Sequence, residues 1–160
     1  MKFYDTCSLL RKVDSLFDEE NFVISSVTLK ELENIKTSVN KDAEIKYSAR
    51  KLLHLLDEHP DCYNVHIFTL DMLDNLSKYT FSITDDIKIL STALDYQHDH
   101  PEEQLIFVTN DLSLKNIAGL FFSKDCIESV NEDFLDQYCG YKEIQMSDDQ
   151  MTDFLFLSKR

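Results

Sequence analysis

Residues 105–118 read LIFVTNDLSLKNIA. The run from Leu105 to Thr109 (LIFVT) has the length of one strand and no charge, which suits a strand covered on both faces, as in a parallel sheet. Helical spacing follows from Asp111 to Ala118 and ends at Gly119, a residue that commonly closes helices. An acid, Asp111, therefore stands where a buried strand gives way to a helix.

The same rhythm recurs upstream. Residues 1–6 (MKFYDT) and 22–27 (FVISSV) are short β-prone runs, each followed by a helical pattern. Helices are expected from Thr28 (TLKELENIK) and from Asp42 to Glu58, where Ile45, Ala49, Leu52, Leu53 and Leu56 share one face and His59-Pro60-Asp61 stops the run. Val65 to Leu70 reads as a third strand and Asp71 to Lys78 as a short helix. A helix from Asp86 to Tyr96, with Ile87, Leu90, Ala93 and Leu94 inward, leads to a polar loop at 98–103. Cys126 to Val130 reads as a further strand. After Asn131 the pattern weakens to a helix at 132–138, an edge strand at 141–146 and a capping-box spacing at Ser147–Gln150.

Strands alternating with helices predict an α/β fold of three layers, α/β/α, around a central, mostly parallel sheet with right-handed crossovers. At 160 residues the chain fits a single domain, 1–160, with 131–160 as a C-terminal extension, and its 43% hydrophobic content is enough for a core covered on both sides. Only two Gly and two Pro argue against sandwiches and barrels, which turn every ten residues or so. No long uncharged apolar stretch occurs, and Met1 to Leu10 carries an acid, so neither a membrane span nor a signal peptide is expected. Cys7, Cys62, Cys126 and Cys139 show no CxxC spacing and are expected as reduced thiols in the cytoplasm. A net charge of −14, from 30 acids and 16 bases, would repel a polyanion and counts against a simple RNA-binding module. An enzyme whose bound cations reverse the local sign remains open.

Asp5 sits among Phe3, Tyr4, Leu9 and Leu10, where an unpaired carboxylate would cost several kcal/mol. Alternatively, it caps the following helix. Glu31 closes a capping-box spacing from Thr28. Asp85 and Asp86 begin a helix, whose dipole favours negative charge, so that one can cap while the other faces a cleft. Asp111 can also be a cap. All these acids fall just after a strand or in the first turn beyond it, however, and in a parallel sheet those places converge at the edge where ligands bind. Converging carboxylates repel unless a cation holds them, and an all-oxygen site suits Mg²⁺ or Mn²⁺.

The segments FYDTCSLL, SSVTLKELENI, TDDIKILSTAL and IFVTNDLSLKNIA, in that order over residues 3–118, resemble the signature segments of PIN domains, including those fused to PhoH-type ATPases. The resemblance implies a catalytic and metal-holding cluster of Asp5, Glu31, Asp86 and Asp111. Asp86 fits better than Asp85, because it stands three residues before Ile89-Leu90 in a D-x-x-I-L run. Thr109 and Asn110 match supporting polar residues. Cys7 and Tyr4 depart from the family pattern.

The activity that the resemblance implies is metal-assisted hydrolysis of phosphodiester bonds in single-stranded RNA, an endonucleolytic ribonuclease chemistry leaving a 5′ phosphate and a 3′ hydroxyl. Lys30, Lys36, Lys88 and Lys115 flank the motifs as RNA backbone contacts or as solvated surface. Two rival readings share the fold: a catalytically inactive docking or assembly module, and the toxin of a toxin–antitoxin pair. Expected partners are accordingly RNA, a protein partner or antitoxin, or a second copy of the chain, and no membrane. His98-Asp99-His100 and His54 to His59 lack the HExxH pattern, and no GxSxG, Walker A or GxGxxG motif occurs.

Overall fold

The structure, a computed structural model, describes residues 1–13, 15–18, 21–79 and 81–130. The chain divides into two units, Met1–Val130 and Asn131–Arg160. The helix, edge strand and capping box expected beyond Asn131 lie outside the described residues.

Strands β1 (Lys2–Tyr4), β2 (Phe22–Ser25), β3 (Tyr63–His66), β4 (Ile106–Val108) and β5 (Ile127–Glu128) form one sheet in the order β3-β2-β1-β4-β5, and every described pairing is parallel. Each connection carries helix: α1 (Thr6–Lys12), α2 (Ser26–Thr37) and α3 (Ala43–Glu58), a short α4 (Asp74–Ser77) and a long α5 (Asp85–Asp99), then α6 (Leu112–Ala118). This is the three-layer α/β/α arrangement expected from the alternation of elements.

Pleating divides the central strands between two cores. Phe3, Val23 and Phe107 point to one face and pack against Ile89, Leu90 and Ala93 of α5 and Leu114 and Ala118 of α6. Their neighbours Tyr4, Ile24 and Val108 point to the other face, against Leu9 of α1, Leu32 of α2 and Ala49, Leu52 and Leu56 of α3. Burial on both faces accounts for the unbroken apolar strands. Each such large side chain contributes roughly 1.5–3 kcal/mol relative to exposure.

Several boundaries differ from the sequence reading. Helix α2 begins at Ser26, with Ser25 as its cap and the Ser25 Oγ accepting from the Val27 amide at 3.1 Å. Thr28 and Glu31 thus form no capping box. Strand β3 ends at His66 because its partner β2 ends at Ser25, leaving Ile67 and Leu70 exposed rather than paired. Helix α5 runs to Asp99, so His98 lies on a helix and not in a loop. Ile45 is 38% exposed, beyond the part of α3 that reaches the core. Gly119 has right-handed backbone angles (φ −63°, ψ −10°), so its freedom to turn left-handed is not used.

The register sets the site. Tyr4 is level with Ile24 and Val108, which puts Asp5, Ser25 and Thr109 side by side where the strands end.

Candidate active site at the carboxyl edge of the sheet

Asp5 follows β1 directly and is 2% exposed. Its Oδ1 accepts from the Ser8 amide at 2.7 Å and from the Ser8 hydroxyl, capping α1. Its Oδ2 accepts from Thr109 Oγ1 at 2.5 Å. Thr109 in turn accepts from the Asp111 amide at 3.1 Å. One fully buried hydroxyl therefore links the acid after β1 to the acid after β4.

Asp111 caps α6, its Oδ1 accepting from the Leu114 amide at 2.7 Å, while the residue remains exposed. The cap reading of Asp5 and Asp111 is thus correct as far as one oxygen of each goes. Glu31, one turn and a half into α2, accepts from the hydroxyl of Thr6 on α1. At α5 neither acid caps: Thr84 does, accepting from the Ile87 amide at 3.3 Å. Asp85 pairs with Lys88 at 2.6 Å, and Asp86 lines a cleft together with Asp111.

Electrostatics tie these acids together. Asp5 is raised above the usual carboxylate value chiefly by burial, against its Ser8 and Thr109 hydrogen bonds, with Asp111 adding to the rise. Burial also raises Glu31, followed by the charges of Asp85, Asp86 and Asp5. Asp86 is raised by desolvation and then by Asp111, Asp5 and Asp85. The ionic neighbours that move these three groups are all carboxylates. Such a set fits a hard divalent cation, which would reverse the sign of the local potential.

Other expected residues have local partners. Asn110 exchanges hydrogen bonds with the backbone of Val130, donating at 2.9 Å and accepting at 3.1 Å, and so extends the β4–β5 edge. Lys36 pairs with Glu33 at 2.6 Å, Lys115 donates to Ser129 at 3.0 Å, and Lys30 is exposed on α2.

A second group escaped the sequence reading. His66, at the end of β3, lies 2.8 Å from Asp95, and with Asp99 these residues bring ligand atoms within 4.8 Å of one another, the condition for a metal-holding group among the described residues. The available signal was the Asp95–Asp99 spacing of four, which places both on one face of a helix. Ending that helix at Tyr96 hid it. Asp5, Glu31, Asp86 and Asp111 do not meet that condition among the described residues.

The described residues thus form a parallel α/β/α sheet with acids at its carboxyl edge, the place where such sheets bind ligands. A family model described as PIN domain matches residues 3–120, and the chain belongs to the PIN domain family. PIN domains are generally nucleases of nucleic acids and typically use divalent metals. No curated protein matches the chain in sequence. Among the described residues, no helix is long and apolar enough to cross a membrane.

Proposed function

We propose that this PIN domain is a metal-dependent ribonuclease that hydrolyses single-stranded RNA, with Asp5, Glu31, Asp86 and Asp111 holding Mg²⁺ or Mn²⁺. The observation that supports the reading is geometric: Thr109 links Asp5 to Asp111 where β1 and β4 end, and Asp86 lines one cleft with Asp111. When bound, the cation supplies Lewis acidity and a more acidic water. The chain's own residues supply position. Ser8 and Thr109 fix both oxygens of Asp5, Thr6 orients Glu31, and the Leu114 amide holds one oxygen of Asp111 while Asp86 faces the cleft. Lys30, Lys36, Lys88 and Lys115 are the cations offered to flanking phosphates, and cleavage is proposed as endonucleolytic in the cytoplasm.

The test compares wild type with Asp111→Asn on single-stranded RNA in Mn²⁺, Mg²⁺ or chelator. Metal-dependent cleavage lost in the variant is expected; equal degradation by both would end the catalytic claim. A thermal-shift titration with Mn²⁺ locates the cation, since a ligand bound to the native state raises stability as its concentration passes the dissociation constant. The shift should disappear in Asp111→Asn and survive in His66→Ala.

The capping bonds of Asp5 and Asp111 favour a second reading, a docking module whose acids serve only the helices. That module would show no metal-dependent shift at these acids. A toxin held by an antitoxin would share the chemistry, and would arrest growth on expression unless Asp5 is replaced by Asn.

A further inference from the structure

A cleft of about 250 Å³ opens directly beside Asp86 and Asp111. The segment ahead of α5 supplies Phe81, Ser82 and Thr84 to its wall, and Ile87, Leu114 and Ile117 form an apolar surface. Ile87 and Leu114 are buried, whereas Phe81 is half-buried. That ring has aromatic neighbours. It stacks on Tyr79 at 6.0 Å and 30°, and Tyr79 stands edge-on to Phe121 at 5.3 Å and 87°. A ring held this way loses little freedom when a guest packs against it.

The chemistry of the lining selects the guest. Among the described residues no Lys, Arg or His contributes to the wall, and two carboxylates stand at one end, so without a bound cation an anionic guest is disfavoured. An uncharged, flat group with polar edges is favoured: its faces meet Phe81 and the aliphatic side chains, and its edges meet the hydroxyls of Ser82, Thr84 and Ser113. Thr84 already uses an acceptor site on the Ile87 amide, which leaves its proton available to donate.

We infer that this cleft receives one unpaired nucleobase of the substrate strand, stacked on Phe81, next to the phosphate presented to Asp86 and Asp111. The inference rests on the nuclease reading and adds the reason for single-strand preference: a base can enter only when it is neither paired nor stacked within a duplex. Aromatic stacking is sequence-tolerant because every base has a π face, so the cleft would impose strandedness more than sequence.

The experiment uses short single-stranded RNA in which one nucleotide at a time, on either side of the cleaved bond, is made abasic or carries 2-aminopurine. With wild type, one position should show quenched 2-aminopurine fluorescence, and the abasic strand at that position should raise KM by roughly 5- to 100-fold. Phe81→Ala should raise KM similarly on the intact strand and add nothing on the abasic strand, while Phe81→Tyr should restore binding. Should Phe81→Ala fail to fold, Phe81→Leu and the abasic series on wild type decide the matter. Cleavage by wild type that is indifferent to an abasic nucleotide at every position overturns the base cleft while leaving the nuclease reading intact. A wild type that neither cleaves nor binds RNA overturns both.

Discussion

Thr109 Oγ1 donates its single proton to Asp5 Oδ2 at 2.5 Å, across the junction between β1 and β4. Because the same oxygen accepts from the Asp111 amide, the position of one acid is coupled to the backbone of another. A hydroxyl is the smallest group able to do both.

Replacing Thr109 by Val keeps the shape but leaves a buried carboxylate oxygen and an amide without their partner. Stability should fall by about 1–3 kcal/mol in urea unfolding, and metal-dependent cleavage should fall with it. Thr109→Ser should retain most of both. A Val variant as stable and active as wild type would show that the link is incidental.

Asp86 contributes repulsion to the metal-free fold and, on the proposed reading, a ligand to the loaded one. Asp86→Asn should therefore raise the melting temperature in chelator yet abolish the Mn²⁺-induced rise. Cleavage should drop by more than the roughly 10–100-fold that follows loss of an outer partner of a metal ligand. Differential scanning fluorimetry with and without Mn²⁺, alongside a cleavage assay, reads both effects.

The pH dependence of the metal-free protein follows from the same groups. Asp5, Glu31 and Asp86 are all raised in the folded state, so between their ordinary values and their raised ones the native state binds more protons than the unfolded chain. In that window their contribution to stability increases as pH falls and decreases as pH rises. In chelator, acidifying from neutral into the window should raise the melting temperature of wild type more than that of a variant with Asp5, Glu31 and Asp86 replaced by Asn, Gln and Asn. Equal slopes would contradict the coupling.

Thr28 is fully buried, and its Oγ1 has no hydrogen-bond partner among the described residues. Thr28→Val replaces an unsatisfied hydroxyl by a methyl group of similar size. It should stabilise the fold by about 1 kcal/mol without changing cleavage. Destabilisation in denaturant titration would mean that the hydroxyl has a partner after all.

The layered fold was legible because its signals are local and periodic. LIFVT suited a strand covered on both faces, and the apolar spacing of 87–94 suited a helix with one inward face, as the core beneath α5 bears out. Asp5 and Asp111 stood out for a similar reason, since strand-to-helix junctions in a parallel sheet share one edge, whereas Asp86 opens α5 only after the short α4 that follows β3. Boundaries were less legible. Strand β3 ended early because its neighbour ran out, and the start of α2 depended on Ser25 rather than Thr28.

The amino-acid order alone determined which residues alternate between faces, where helices follow strands, and hence which acids reach the carboxyl edge. Only the tertiary structure decided how those acids are held: Thr109 bridging Asp5 to Asp111, Thr6 meeting Glu31, Lys88 drawing Asp85 aside, and His66 meeting Asp95. Periodicity assigns a residue to an element and a face, but a hydrogen bond between residues a hundred positions apart depends on register and helix placement, which packing of the whole core sets.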